Sequence, residues 1–259
     1  MSNSQTTALH YINSLPFDAN AEIFRHYPAF KLGVTASVRH YAELLLPVLK
    51  NLIETDSGLV LSSPALASQT PAAANLLCWE LGKFTKISVL DIQYDNEATA
   101  SIDYAKLSVT DRVTERKRLS SRLIPNAGFH ERPVVFINDI CITGTQQRAL
   151  QQYFDNCGAT LVRWLYLVVV NPEIGKANPE MEWQFNFAPF EDLLRLVSRE
   201  EIQFTGKCVL KLMQLKIDEL DQVLRALDRE RRKRLLELIL RNGFEDLENF
   251  REQVKLIRG

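Results

Sequence analysis

The stretch Pro133 to Gln147, PVVFINDICITGTQQ, restricts what this chain can fold into more than any other. Its apolar run, Val134 to Ile137, is short and rich in β-branched residues, which reads as a buried strand. The strand closes on Asn138-Asp139. A tight Thr143-Gly144-Thr145 turn then opens a helical pattern near Gln146. The first N–H groups of a helix have no intrahelical partner, and the helix dipole favours negative charge there. A small polar turn at that point is an anion site, suited to phosphate. Asp139, at the strand end, would face whatever carries the phosphate. The ligand expected is a phosphorylated polyol, with its phosphate on the turn and its hydroxyls on Asp139.

The pattern VVFINDICITGT resembles the signature of the type I phosphoribosyltransferases, which bind 5-phosphoribosyl-1-diphosphate (PRPP). It departs from that signature at Asn138, where the family carries an acidic residue, and at Ile142, where it often carries Thr or Asp. The resemblance spans about residues 31 to 170, and the layout looks most like the phosphoribosyltransferase-domain proteins of bacterial stress and biosynthetic gene clusters. It implies an α/β fold: a parallel-sheet, Rossmann-like phosphoribosyltransferase domain with a helical C-terminal extension. It also implies a Mg²⁺-dependent transfer of ribose 5-phosphate from PRPP to a nucleobase or related acceptor. Diphosphate would leave, with inversion at C1 of the ribose.

The site residues follow from the same resemblance. Ile142, Thr143, Gly144, Thr145 and Gln146 would cradle the 5-phosphate. Asn138 and Asp139 would bind the ribose hydroxyls, with Asp139 also the catalytic and metal-binding carboxylate. The loop after the first strand, Ser62 to Thr70, would bind the diphosphate through Ser62, Ser63 and Thr70, the other reading being a plain βα connection with a helix cap. The polar stretch from Tyr104 to Arg122 falls where the family has its flexible loop. Lys106 and Arg112 would act in catalysis and Arg116 in substrate binding, or the run is a solvated helix face with local Asp and Glu pairing. The acceptor hood could come from residues 10 to 33, from 171 to 190 or from the C-terminal helices.

The remaining chain frames this motif. Residues 1 to 33 read as an irregular extension, 34 to 189 as the phosphoribosyltransferase-like domain and 190 to 259 as a helical region. Val38, Tyr41, Ala42, Leu45, Leu46 and Leu49 recur at amphipathic-helix spacing, with Pro47 expected to kink or end that helix. Gly58 to Ser63 reads as the first strand. Thr70 is the expected N-cap of a helix opened by Pro71, with Gly82 as its stop. Ile87 to Ile92 reads as a second strand, Ala98 to Asp103 as a further one, and Thr160 to Val170 as a central strand. Glu182 to Phe187, EWQFNF, alternates like an edge strand. In the helical tail, Leu220, Val223, Leu224 and Leu227 form one apolar stripe, and Leu235, Leu236, Ile239 and Leu240 a second. Such a bundle would pack on the domain, on a second copy or on a protein partner.

Composition excludes several other classes. The net charge is −1, which gives no general basis for binding nucleic acid or an anionic membrane. No apolar run reaches the roughly 18 residues of a membrane span, and the N-terminal residues lack the basic-then-apolar order of a secretory signal. The four cysteines are scattered without metal spacing and read as reduced thiols of a cytoplasmic protein. A second functional reading is a non-catalytic sensor of PRPP or a nucleotide, acting through the C-terminal helices.

Overall fold

The computed structural model describes residues 5–17, 21–53, 58–66, 70–95 and 109–258. Among these residues four strands form one parallel sheet: β1 (Thr6–Ile12), β2 (Val60–Ser62), β3 (Pro133–Cys141) and β4 (Leu161–Val170). Their order is β1-β4-β3-β2, so β3 and β4 lie inside. An interior parallel strand is covered on both faces and needs apolar residues at every position rather than at alternate ones. β3 satisfies this from Val134 to Ile137 and β4 from Trp164 to Val170. Val135, Ile137, Leu165 and Leu167 pack into one layer, and Val134, Phe136, Val162, Trp164 and Tyr166 into the other.

The first layer is covered by α3 (Thr35–Ile53) and α4 (Ala73–Thr85), and the second by α6 (Thr145–Asn156) through Leu150, Tyr153 and Phe154. α5 (Val109–Ser120) packs against α6. Pro47 sits inside α3 without ending it. α4 begins later than expected. Its N-cap is Ala72, whose N–H donates to the Asn75 carboxamide at 2.7 Å, because Thr70 is drawn away to receive Asn242. Gly82 does not stop the helix. It is the point where α4 lies against the Ile87–Val89 backbone, and a Cβ there would come within 2.6 Å of Val89. The segment from Ile87 to Ile92 runs beside β2 through one isolated parallel bridge, Leu61 with Val89, rather than as a regular strand. Ala98 to Asp103 lies outside the described residues.

Two readings of the sequence are corrected. The N-terminal segment is not irregular. It supplies β1, hydrogen-bonded in parallel along β4 from Thr6 opposite Trp164 to Ile12 opposite Val170, followed by α1 (Glu22–Arg25) and α2 (Tyr27–Leu32). EWQFNF is not a strand but lies mostly in α8 (Met181–Phe185), which follows α7 (Pro172–Ala177). Met181 and Phe185, four residues apart, both enter the core. Phe185 stacks on Phe24 with centroids 4.5 Å apart and meets Phe17 edge-on at 4.9 Å. A two-residue alternation cannot reveal an i, i+4 pair when the apolar partner lies in a distant segment.

The C-terminal helices are α9 (Phe190–Arg199), α10 (Gly206–Met213), α11 (Ile217–Ala226), α12 (Arg229–Arg241) and α13 (Arg251–Arg258). They build a core of their own, which also takes in Leu32 and Val34. The α11 stripe is buried as expected. On α12 the buried set is Leu235, Leu238 and Ile239, and Leu240 is exposed. Val34 forms an antiparallel bridge with Ile202 at the contact between this core and α2. Gly33 permits that contact: it adopts φ +92°, and a Cβ would stand 2.0 Å from the Gln203 carbonyl oxygen.

Candidate functional site

The site lies at the carboxyl end of β3, where an open parallel sheet presents its ligand crevice. β3 ends at Cys141, Gly144 turns the chain with φ +68°, and α6 begins at Thr145. The Thr143 and Thr145 hydroxyls lie 2.9 Å apart across this turn. Arg148, one turn along α6, donates to the Thr143 carbonyl at 3.2 Å and to the Thr145 hydroxyl at 3.3 Å. The turn is held from behind by α7: a Cβ on Gly175 would lie 2.0 Å from the Ile142 carbonyl oxygen, so only glycine allows this approach. The result is a small-residue turn at a helix start, two hydroxyls and one guanidinium. Each of these suits a phosphate monoester.

Asp139 is organised differently. It is 7% exposed, and both carboxylate oxygens are engaged. Oδ1 accepts from the Ile140 N–H at 2.8 Å, and Oδ2 accepts from the Tyr27 hydroxyl at 3.3 Å and from the Lys31 ammonium, which contacts it directly. Lys31 also reaches Glu182 at 3.5 Å. Burial lowers the proton affinity of the Lys31 amine, but the Asp139 and Glu182 carboxylates more than offset this and hold it above the ordinary lysine range. Tyr27 is pushed well above its ordinary value by burial, then by the same two carboxylates, so its hydroxyl stays protonated and donates. Asn138, 4% exposed, donates from its carboxamide to Gln146 at 3.1 Å and so links the strand end to the start of the helix.

A cavity of about 200 Å³ is lined by residues that include Asn138, Asp139, Ile142 to Gln146, Lys31 and Glu182. The structure therefore gathers every expected phosphate and ribose residue of the central motif. It also places one residue from each of two expected hood segments at the cavity wall. A separate cavity of about 580 Å³ lies between α5 and α6 and shares only Thr145 and its neighbourhood with the first. Its lining includes Lys117, Arg148 and Tyr153.

The first-strand loop is placed otherwise. The Ser62 hydroxyl donates to the Leu90 carbonyl at 2.8 Å, and the Ser63 hydroxyl accepts from Asn75 at 2.9 Å. The Thr70 hydroxyl accepts from Asn242 of α12 at 2.8 Å. All three are buried, and they hold the loop and the C-terminal region instead of lining the cavity; Pro64 and Ala72 line it. Arg112 and Arg116 belong to α5, but their side chains, like the whole of Lys106, lie outside the described residues.

Sequence reasoning missed Arg148, Tyr27, Lys31 and Glu182. Arg148 carried a signal, since a basic residue three positions after Thr145 shares its helix face. The other three carried none, because their partner is more than a hundred positions away in the chain.

The resemblance implies Mg²⁺ on Asp139, and the donor set there does not fit a divalent ion. Mg²⁺ is usually held by one or two carboxylates together with substrate oxygens and water. Here the one carboxylate of the motif is taken by an ammonium and a phenol, the neighbouring acidic position is an amide that donates, and no group of three or more His, Cys, Asp or Glu among the described residues could hold a metal. Burial raises the Cys141 thiol above its ordinary range, which disfavours the thiolate form. No helix among the described residues is long and apolar enough to cross a membrane.

The comparison with curated proteins returned no match. The family model for PRTase ComF-like proteins matches residues 4–257, taking in the N-terminal strand, the β3–α6 site and the C-terminal helices together. With that match laid over the parallel sheet and its β3–α6 turn, the chain belongs to the ComF-like phosphoribosyltransferase family.

Proposed function

We propose that this protein binds PRPP at the β3–α6 turn and transfers its ribose 5-phosphate to a small nitrogen-containing acceptor, a nucleobase or a related molecule. The observation that carries the reading is the convergence of Thr143, Gly144, Thr145 and Arg148 on one turn beside Asp139. In the reaction the C1–O bond to diphosphate breaks, its electron pair leaves with the diphosphate, and the acceptor nitrogen bonds C1 from the opposite face. The transition state resembles an oxocarbenium ion, so the protein acts through position and charge. The turn and Arg148 fix the 5-phosphate. Asp139 accepts from a ribose hydroxyl. Asn138 offers its carboxamide oxygen to the second. Basic side chains of the 104–122 stretch, Lys106, Arg112 and Arg116 among them, would neutralise the departing diphosphate.

Phosphoribosyltransferases generally use Mg²⁺; in this reading no step depends on a protein-held metal. A homodimer or a partner protein on the C-terminal helices belongs to the same reading. The sensor reading is favoured by one observation: the Asp139 carboxylate is already neutralised by Lys31, which reduces the negative charge beside a developing cation. Calorimetry with PRPP, followed by diphosphate release in the presence of a nucleobase panel, separates the two. Binding with turnover supports the transferase, binding without turnover on any acceptor supports the sensor, and absence of binding overturns both.

A further inference from the structure

Lys31 is not a surface side chain that folds back onto the site. Its side chain is 14% exposed, beside Asp139 at 9% and Glu182 at 17%. Its ammonium lies 5.8 Å from the Tyr27 ring centroid. Its own carbonyl accepts from the Thr205 hydroxyl at the N-cap of α10 at 2.7 Å, and Gly33, two residues on, is locked against Gln203. α2 is thus braced by the C-terminal core so that one cation stands between two carboxylates at the wall of the cavity. Without Lys31, Asp139 and Glu182 would present two negative charges at that wall, a balance suited to a divalent ion. With it, one charge is cancelled and the metal's place beside Asp139 is filled.

Resting on the phosphoribosyl reading above, we propose that Lys31 is the resident cation of the ribose subsite and that the protein binds PRPP without requiring a divalent metal. An ammonium has three donors. Two serve Asp139 and Glu182, and the third is available to a ribose hydroxyl or a diphosphate oxygen at the cavity wall. The acidic-to-amide change at Asn138 accords with this, because a site with a built-in cation needs one carboxylate fewer.

The test is calorimetry of PRPP binding in excess EDTA and in millimolar Mg²⁺, on the wild type, Lys31→Met and Lys31→Arg, with thermal unfolding confirming that each variant is folded. The wild type should bind in EDTA with an affinity within about threefold of that in Mg²⁺. Lys31→Met should bind at least about tenfold more weakly in EDTA and recover in Mg²⁺, while Lys31→Arg, which keeps the charge, should retain most of the EDTA affinity. If Lys31→Met does not fold, the wild-type pair of titrations and Lys31→Arg still decide. A wild type that binds PRPP only with Mg²⁺ overturns the Lys31 inference and leaves the phosphoribosyl reading intact. A folded Lys31→Met that keeps full affinity in EDTA does the same. Absence of PRPP binding in both conditions overturns the phosphoribosyl reading, and this inference with it.

Discussion

The two halves of the site lie a few residues apart on β3 and α6 and are built in opposite ways. The half proposed for the phosphate, Thr143 to Arg148, is local: a left-handed glycine, two hydroxyls and a helix start, each contact spanning at most five residues. The half proposed for the ribose, around Asp139, is assembled from Tyr27, Lys31 and Glu182, at separations of more than forty residues on either side. The first half can change its chemistry without disturbing the fold. The second is part of what holds the N-terminal segment and α8 onto the sheet.

The sharpest way to break this contrast is to cut one residue from each half. Removing one partner of a buried ion pair leaves the other charged and desolvated, so Asp139→Ala should cost about 3–5 kcal/mol in chemical unfolding. Arg148→Ala, on the exposed side of the turn, should stay within about 0.5 kcal/mol of wild type in the same assay. Equal losses at the two positions would remove the distinction. The buried pair also predicts a pH limit. Lys31 has a proton affinity raised above that of the unfolded chain, so its contribution is fully present below the unfolded value of about 10.4 and declines as pH rises beyond it. Stability measured by denaturant titration should therefore fall above that pH, and fall less in Lys31→Met.

Gly175→Ala probes the tie between the halves and the surrounding helices. The added methyl would meet the Ile142 carbonyl oxygen at 2.0 Å, and the backbone of the phosphate turn must shift. A loss of about 3 kcal/mol in thermal unfolding is expected, with weaker PRPP binding in any folded fraction. Smaller effects belong to binding alone. A charge-assisted contact to phosphate lost in Arg148→Ala should weaken PRPP about tenfold by calorimetry. Thr143→Ala, which removes one neutral hydroxyl, should weaken it about threefold to fivefold. Reversal of that order would place the phosphate elsewhere than at the first turn of α6.

Much of the framework was legible in the sequence. The apolar run of β3, the turn after it, the long run of β4 and the helical tail all declare themselves through period and composition over a few residues. The failures share one cause. TTALHYI has weak alternation and becomes a strand only because the edge of β4 is available to it. EWQFNF alternates as a strand would, yet its Phe185 finds Phe17 and Phe24 across the molecule and the segment coils to reach them. Ser62, Ser63 and Thr70 have the chemistry of phosphate ligands, but their hydroxyls are used by Leu90, Asn75 and Asn242. A side chain's partner cannot be read from its type when hydroxyls serve structure and ligand alike.

By itself the sequence determined the turn between β3 and α6, because a glycine in the left-handed region flanked by hydroxyls at a helix start is fixed by neighbouring residues. It also fixed the position of Asp139 at the end of an interior strand. Only the tertiary structure decided what Asp139 faces. That a lysine from α2 fills the place beside it depends on Gly33 and Thr205 docking α2 onto the C-terminal core, and such long-range docking leaves no periodic mark in a sequence.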